Sequence, residues 1–161
     1  MDWVVSLQRW LVRVLNALVA LSVAGLAGIM TLQVFLRYVV ESSFLGIEEV
    51  SALFGLWLYF MGLALVTARD QHVRGGLIQD ALSPRARQVL GTVLLLISAG
   101  ICAYFFVLSL DYLAFIYEGN RRSTFLRWPS FIWAASLSLG LGLSALISIL
   151  RAIRPYRMEQ S

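Results

Sequence analysis

The chain holds one cysteine, one histidine and no lysine, and long stretches of it carry no formal charge. With Cys102 as the only thiol, no intramolecular disulfide can form. Its place in the middle of an apolar run suits a small apolar filler better than a reactive nucleophile. A lone His72 excludes the paired-histidine haem ligation of membrane cytochromes and, with one cysteine, any Cys/His metal site within the chain. His72 lies among Arg69, Asp70 and Arg74 in a polar stretch, where an imidazole is more often a surface or packing residue than a proton carrier. No nucleophile motif or Gly-rich phosphate loop stands out, the Gly75-Gly76 pair being too short a signal for one. The expectation is a protein that is not an enzyme and holds no cofactor or metal.

What is present is apolar length. Of the 161 residues 60% are hydrophobic and 14% charged, and the mean hydropathy is +0.80. Soluble domains hold roughly 45–50% apolar residues, so this is the composition of an integral membrane protein. All thirteen basic residues are Arg, and they sit at the ends of apolar runs instead of spreading over a nucleic-acid-binding face. Membrane lipid, not nucleic acid, is the expected surrounding.

The stretch from Arg37 to Arg74 organises the rest. A charged turn (Arg37, Tyr38, Glu41, Glu48, Glu49) leads into an uncharged run from Val50 to Ala68 and a charged exit at Arg69, Asp70, His72 and Arg74. About 19 residues at about 1.5 Å each match the roughly 30 Å of a bilayer's hydrocarbon core. Upstream, residues 14–36 form a first span in which Ala20, Ala24 and Gly28 recur every fourth residue, a face small enough for close approach of another helix. Residues 1–13 place Trp3, Val4, Leu7, Trp10 and Leu11 at helical spacing, either as a short helix lying in the interface or as the first turns of a tilted span. The first run begins after Arg13, spans the bilayer and lacks a short h-region with a small-residue cleavage site, so it is expected to be retained.

Ser43 is placed to cap the second helix, whose first turn holds Glu48 and Glu49, where the helix dipole favours negative charge. Adjacent residues point about 100° apart on a helix, so the two carboxylates cannot share a face. The helix then alternates small positions (Gly55, Gly62) with large ones (Trp57, Tyr59, Phe60), and a brief interfacial helix is expected over 77–82. A third span, opened by Ser83-Pro84, covers 86–110 and either ends near Asp111 or continues to about Tyr117. A carboxylate at mid-bilayer costs about 2.5–3.5 kcal/mol on insertion scales, so Asp111 is expected near the surface. Glu118, Gly119 and Asn120 mark a turn and Arg121, Arg122 and Arg127 a basic loop. Trp128-Pro129 opens a fourth span over 128–150, with Ser136, Gly140, Ser144 and Ser148 as a helix-packing stripe.

Nine Arg fall on the side of the N-terminus, the 69–87 loop and the C-terminus, and four on the side of the 37–49 turn and the 118–127 loop. The Arg excess marks the cytoplasmic side, so both termini should be cytoplasmic. The reading is all-α: a single membrane domain over 1–161, a four-helix bundle. Arg37, Glu48, Glu49, Asp111, Arg121, Arg122 and Arg127 then form a belt of mixed charge at the outer surface, with Arg37 to Glu48 or Glu49 and Arg127 to Asp111 as candidate pairs.

A self-sufficient transporter usually shows ionisable groups or broken helices near mid-membrane. The four span interiors here carry no charge, which favours a helical scaffold over a translocation pathway. The run Phe35-Leu36-Arg37-Tyr38, the pair Glu48-Glu49, Trp57, Phe60-Met61-Gly62-Leu63-Ala64 and the exit Arg69, His72-Val73-Arg74 together resemble the small, DctQ-like membrane subunit of TRAP transporters, the tripartite ATP-independent periplasmic carriers. Where many relatives carry Pro-Trp before the two glutamates this chain has Leu45-Gly46, and where they carry Val-Asp after the His-x-Arg it has Gly75-Gly76.

The resemblance implies a secondary-transport complex in a bacterial inner membrane, with a soluble periplasmic protein delivering an organic acid or related solute. It further implies a large elevator-type subunit that carries the solute and ion sites, and a small subunit that packs beside it as a fixed support. Glu48 and Glu49 would fix the outer end of the second helix, and loops including Arg121 and Arg122 would touch the binding protein. Two other readings compete. An autonomous four-span proton antiporter of the small multidrug type needs an acidic group deep in a span, whereas Glu48, Glu49 and Asp111 lie near ends; a membrane anchor for a redox enzyme is weakened by the lack of histidines.

Overall fold

The fold is that of a computed structural model, which describes residues 2–42, 44–69 and 83–153. Among the described residues four helices follow one another: α1 (Asp2–Tyr38), α2 (Gly46–Ala68), α3 (Pro84–Glu118) and α4 (Phe131–Ile153). Each contains a stretch long and apolar enough to cross a membrane, with mean hydropathies between 1.8 and 2.5. His72, Arg74, Ser43 and the interfacial helix expected over 77–82 lie outside the described residues.

α1 runs unbroken from Asp2, so the N-terminal turns continue the first span. Its 37 residues come to about 55 Å, well beyond a hydrocarbon core of roughly 30 Å, so α1 must tilt or emerge into water. α3, with 35 residues, is in the same position. It passes through Asp111 without a break and ends at Glu118, because a carboxylate near a helix end leaves the backbone ladder intact and reaches water from the exposed surface.

The helix ends follow local chemistry. Ser83 starts α3 by accepting the N–H of Ala86 at 3.4 Å, with Pro84 in the first turn, where its missing N–H costs nothing. At the far end Asn120 takes a left-handed φ of 42°, and the N–H groups of Asn120 and Arg121 return to the carbonyls of Tyr117 and Ile116. That is a Schellman closure with Asn in the position usually taken by Gly. After α1, Glu41 does the same turning work at φ 54°, bringing the Ser42 N–H to the Leu36 carbonyl at 3.1 Å. α2 has Leu45 at its N-cap, which makes no side-chain cap. α4 begins at Phe131 rather than at Trp128-Pro129, because those two residues are engaged in the loop before it.

Packing runs α1 on α2, α2 on α4, and α4 on α3. Among the described residues the bundle is therefore an open row, α1–α2–α4–α3. Gly140 allows the tightest approach: a Cβ there would lie 2.6 Å from the Phe60 carbonyl oxygen of α2. Gly142, two positions on and turned to the other side, meets the Phe106 ring of α3. Gly25 of α1 accepts the Phe54 ring of α2 in the same way. A core of Leu15, Met61, Ala64, Leu65, Ala68 and Ile147 joins α1, α2 and α4 toward the Ala68 end, with Trp57 packed against it. Ala20, Ala24 and Gly28 lie exposed on α1, so that small-residue face points away from the chain's own helices. α1 and α3 also expose many large apolar side chains, as expected where lipid is the solvent.

Candidate functional site

The residues of the charged belt gather at one end of the row, where the α1–α2 turn meets the loop between α3 and α4. The loop is a small hairpin. Arg122 and Pro129 form an antiparallel bridge, the Ser123 N–H donates to the Trp128 carbonyl at 2.8 Å, and the Ser130 N–H donates to the Arg121 carbonyl at 2.9 Å. The Ser123 hydroxyl accepts the Trp128 N–H at 3.1 Å, and Arg127 turns the chain with a left-handed φ of 53°. This turn aims the tip's backbone donors at α2. Glu49 receives them with both oxygens, Oε1 from the Phe125 N–H at 2.8 Å and Oε2 from the Leu126 N–H at 2.9 Å. Leu126 also reaches Gly46, where a Cβ would lie 3.1 Å from its Cδ2 and 2.5 Å from the Phe44 ring. A bare backbone at Gly46 is what lets the turn, the start of α2 and the hairpin tip converge.

The two glutamates thus part company, as adjacent residues of a helix must. Glu49 ties the tip of the α3–α4 loop to the start of α2. Glu48 is exposed and lines a cavity of about 290 Å³ with Gln33, Arg37 and the apolar side chains of Leu36, Phe44 and Ile47.

Neither expected ion pair is present: Arg37 does not bridge to Glu48 or Glu49, nor Arg127 to Asp111. Glu49 is turned to the hairpin tip and Glu48 stands across a cavity from Arg37, and two of the arginines lie against rings instead. Arg37 lies 5.8 Å from the centre of the Tyr38 ring, and Arg121 4.5 Å from that of Phe115. Arg122, Arg127 and Asp111 are exposed.

The opposite end is fastened by different residues. Arg69, just beyond α2, donates to the Asn16 side-chain oxygen of α1, and Arg151 of α4 donates to the Ala68 carbonyl, so α1, α2 and α4 are joined there. In between, Ser136, Ser144 and Ser148 are buried on α4, on the same fourfold stripe as Gly140. The Ser136 and Ser144 hydroxyls are satisfied within α4, each donating at 2.7 Å, to the Trp133 and Gly140 carbonyls. Ser138 crosses to α3 and donates to the Ser109 carbonyl at 3.2 Å. Gly55 and Gly62 face open space: a Cβ at either would meet nothing within 4 Å. Among the described residues every buried side-chain nitrogen and oxygen has a hydrogen-bond partner.

Asn16, Phe125 and Leu126 carry contacts that sequence reasoning did not single out. Asn16 left a trace, one of two amides, with Gln33, inside the apolar run of residues 14–36. Phe125 and Leu126 left none, because they act through backbone N–H groups that every residue but proline shares.

Residues 26–158 match the family described as "Tripartite ATP-independent periplasmic transporters, DctQ component". No curated protein matches the chain. The match does not favour an autonomous antiporter. It covers most of the sequence, including all of α2, α3 and α4, and agrees with four membrane-crossing helices in a multi-pass protein. The chain belongs to the DctQ family and is a small membrane component of a TRAP transporter.

Proposed function

We propose that this subunit does not itself translocate solute but braces the large, elevator-type membrane subunit during ion-coupled uptake of an organic acid or related solute delivered by a periplasmic binding protein. The observation that carries this reading is the packing order: an open row of four helices offers broad faces to a neighbour and encloses no path between them. The uncharged span interiors and the satisfied buried polar groups support it, since a solute or ion site in a membrane normally needs ionisable or freed polar groups. Family membership supplies the two partners, a large membrane component and a binding protein.

In this reading the membrane is the bacterial inner membrane, both termini are cytoplasmic, and the Glu49 end is periplasmic. There the hairpin with Arg121 and Arg122 is presented to the binding protein. The face of α2 that bears Gly55 and Gly62 serves the large subunit, because the stripe of Ser136, Gly140, Ser144 and Ser148 is already occupied inside the chain. Uptake by cells that express the large subunit and binding protein, with and without this chain, tests the role. Loss of uptake without it is the expected result, and full uptake without it would contradict the reading.

A further inference from the structure

The cavity at the α1–α2 turn holds a cation and an anion that do not meet. Arg37 comes from the last turn of α1 and Glu48 from the first turn of α2, both line the same space of about 290 Å³, and no ion pair joins them. Gln33 adds a half-buried amide on the α1 side, and Leu36, Phe44 and Ile47 make the rest of the wall apolar. Both side chains are exposed, where water screens their mutual attraction and leaves each able to meet a ligand group. They come from the two helix ends that the α1–α2 turn joins, where the spans are expected to leave the hydrocarbon.

We propose that this cavity binds the headgroup of a zwitterionic phospholipid with a primary ammonium, phosphatidylethanolamine. Arg37 takes the phosphate, for which a planar guanidinium is the better of the two basic side chains, and Glu48 accepts hydrogen bonds from the ammonium. Met30, one turn before Gln33 on the same face of α1 and half exposed, extends the apolar wall toward an acyl chain. Phosphatidylglycerol brings only a negative charge, which Glu48 repels. Phosphatidylcholine carries an ammonium with no N–H to donate.

The test is native mass spectrometry of the full chain, delipidated in detergent and offered equimolar phosphatidylethanolamine, phosphatidylcholine and phosphatidylglycerol with matched acyl chains. The wild-type chain should retain the ethanolamine lipid severalfold over the other two. Arg37→Gln should weaken retention of all three, and Glu48→Gln should erase the preference among them. Arg121→Gln, at the same end but outside the cavity, should change neither. Both cavity charges sit at the surface, and helical circular dichroism checks that the variants fold. Should they not fold, the wild-type comparison alone decides.

Equal retention of the three lipids would overturn the proposal, as would a preference for phosphatidylglycerol or a preference that survives Glu48→Gln. Displacement of the lipid by an equal concentration of soluble glycerophosphoethanolamine would overturn the lipid assignment, and so would a protein partner found filling the cavity. None of these outcomes bears on the bracing role, which is read from uptake.

Discussion

Glu49 accepts the backbone N–H of Leu126 at 2.9 Å across 77 positions of sequence, and its other oxygen takes the Phe125 N–H. One side chain at the start of α2 thereby holds the loop that joins α3 to α4. If that is its role, Glu49→Gln should free the hairpin tip while leaving the helices intact. Hydrogen exchange at the Phe125 and Leu126 amides should accelerate severalfold in this variant and stay unchanged in Glu48→Gln.

Gly140 packs against the backbone of Phe60, whereas Gly55 and Gly62 face open space. Gly140→Ala therefore forces α2 and α4 apart and should cost about 1–3 kcal/mol. Gly55→Ala and Gly62→Ala should stay within about 0.5 kcal/mol of wild type or gain slightly from helix propensity. Thermal unfolding in detergent distinguishes the three.

Asn16 and Arg69 join α1 to α2 at the end opposite Glu49. In a double-mutant cycle with Asn16→Leu and Arg69→Met, the pair should show a coupling of roughly 0.5–1 kcal/mol, modest because Arg69 is exposed. Additive effects would mean that the two side chains do not act together.

Asn120 and Arg127 hold left-handed backbone conformations that favour glycine. Asn120→Gly and Arg127→Gly should therefore preserve stability, while Asn120→Val should lose about 1 kcal/mol or more at the end of α3. Equal behaviour of the Gly and Val variants in thermal unfolding would count against this turn geometry.

The four spans were legible because charge is costly in hydrocarbon, so the gaps between Arg, Asp and Glu mark them, but α1 extends back through Arg13 and Arg9 to Asp2 and α3 on through Asp111 to Glu118. Ser83-Pro84 and Asn120 were equally readable, since capping and turning depend on residue type. The start of α4 was not: Trp128-Pro129 looks like a helix opening, but Pro129 pairs with Arg122 in the hairpin, and the helix begins at Phe131. Nor was the order α1–α2–α4–α3, because lipid-facing and helix-facing side chains are alike apolar and periodicity no longer separates inside from outside. The expected pairing of Arg37 with a glutamate failed for a related reason. Glu49 binds main-chain donors that leave no signature in sequence, and Glu48 stands across a cavity from Arg37.

The central claim, that this chain supports transport without conducting, is tested most directly by solute flux into proteoliposomes. The chain alone should give no flux above empty vesicles, and flux should appear when the large subunit and the loaded binding protein are added under an ion gradient. Flux through the chain by itself would contradict the account.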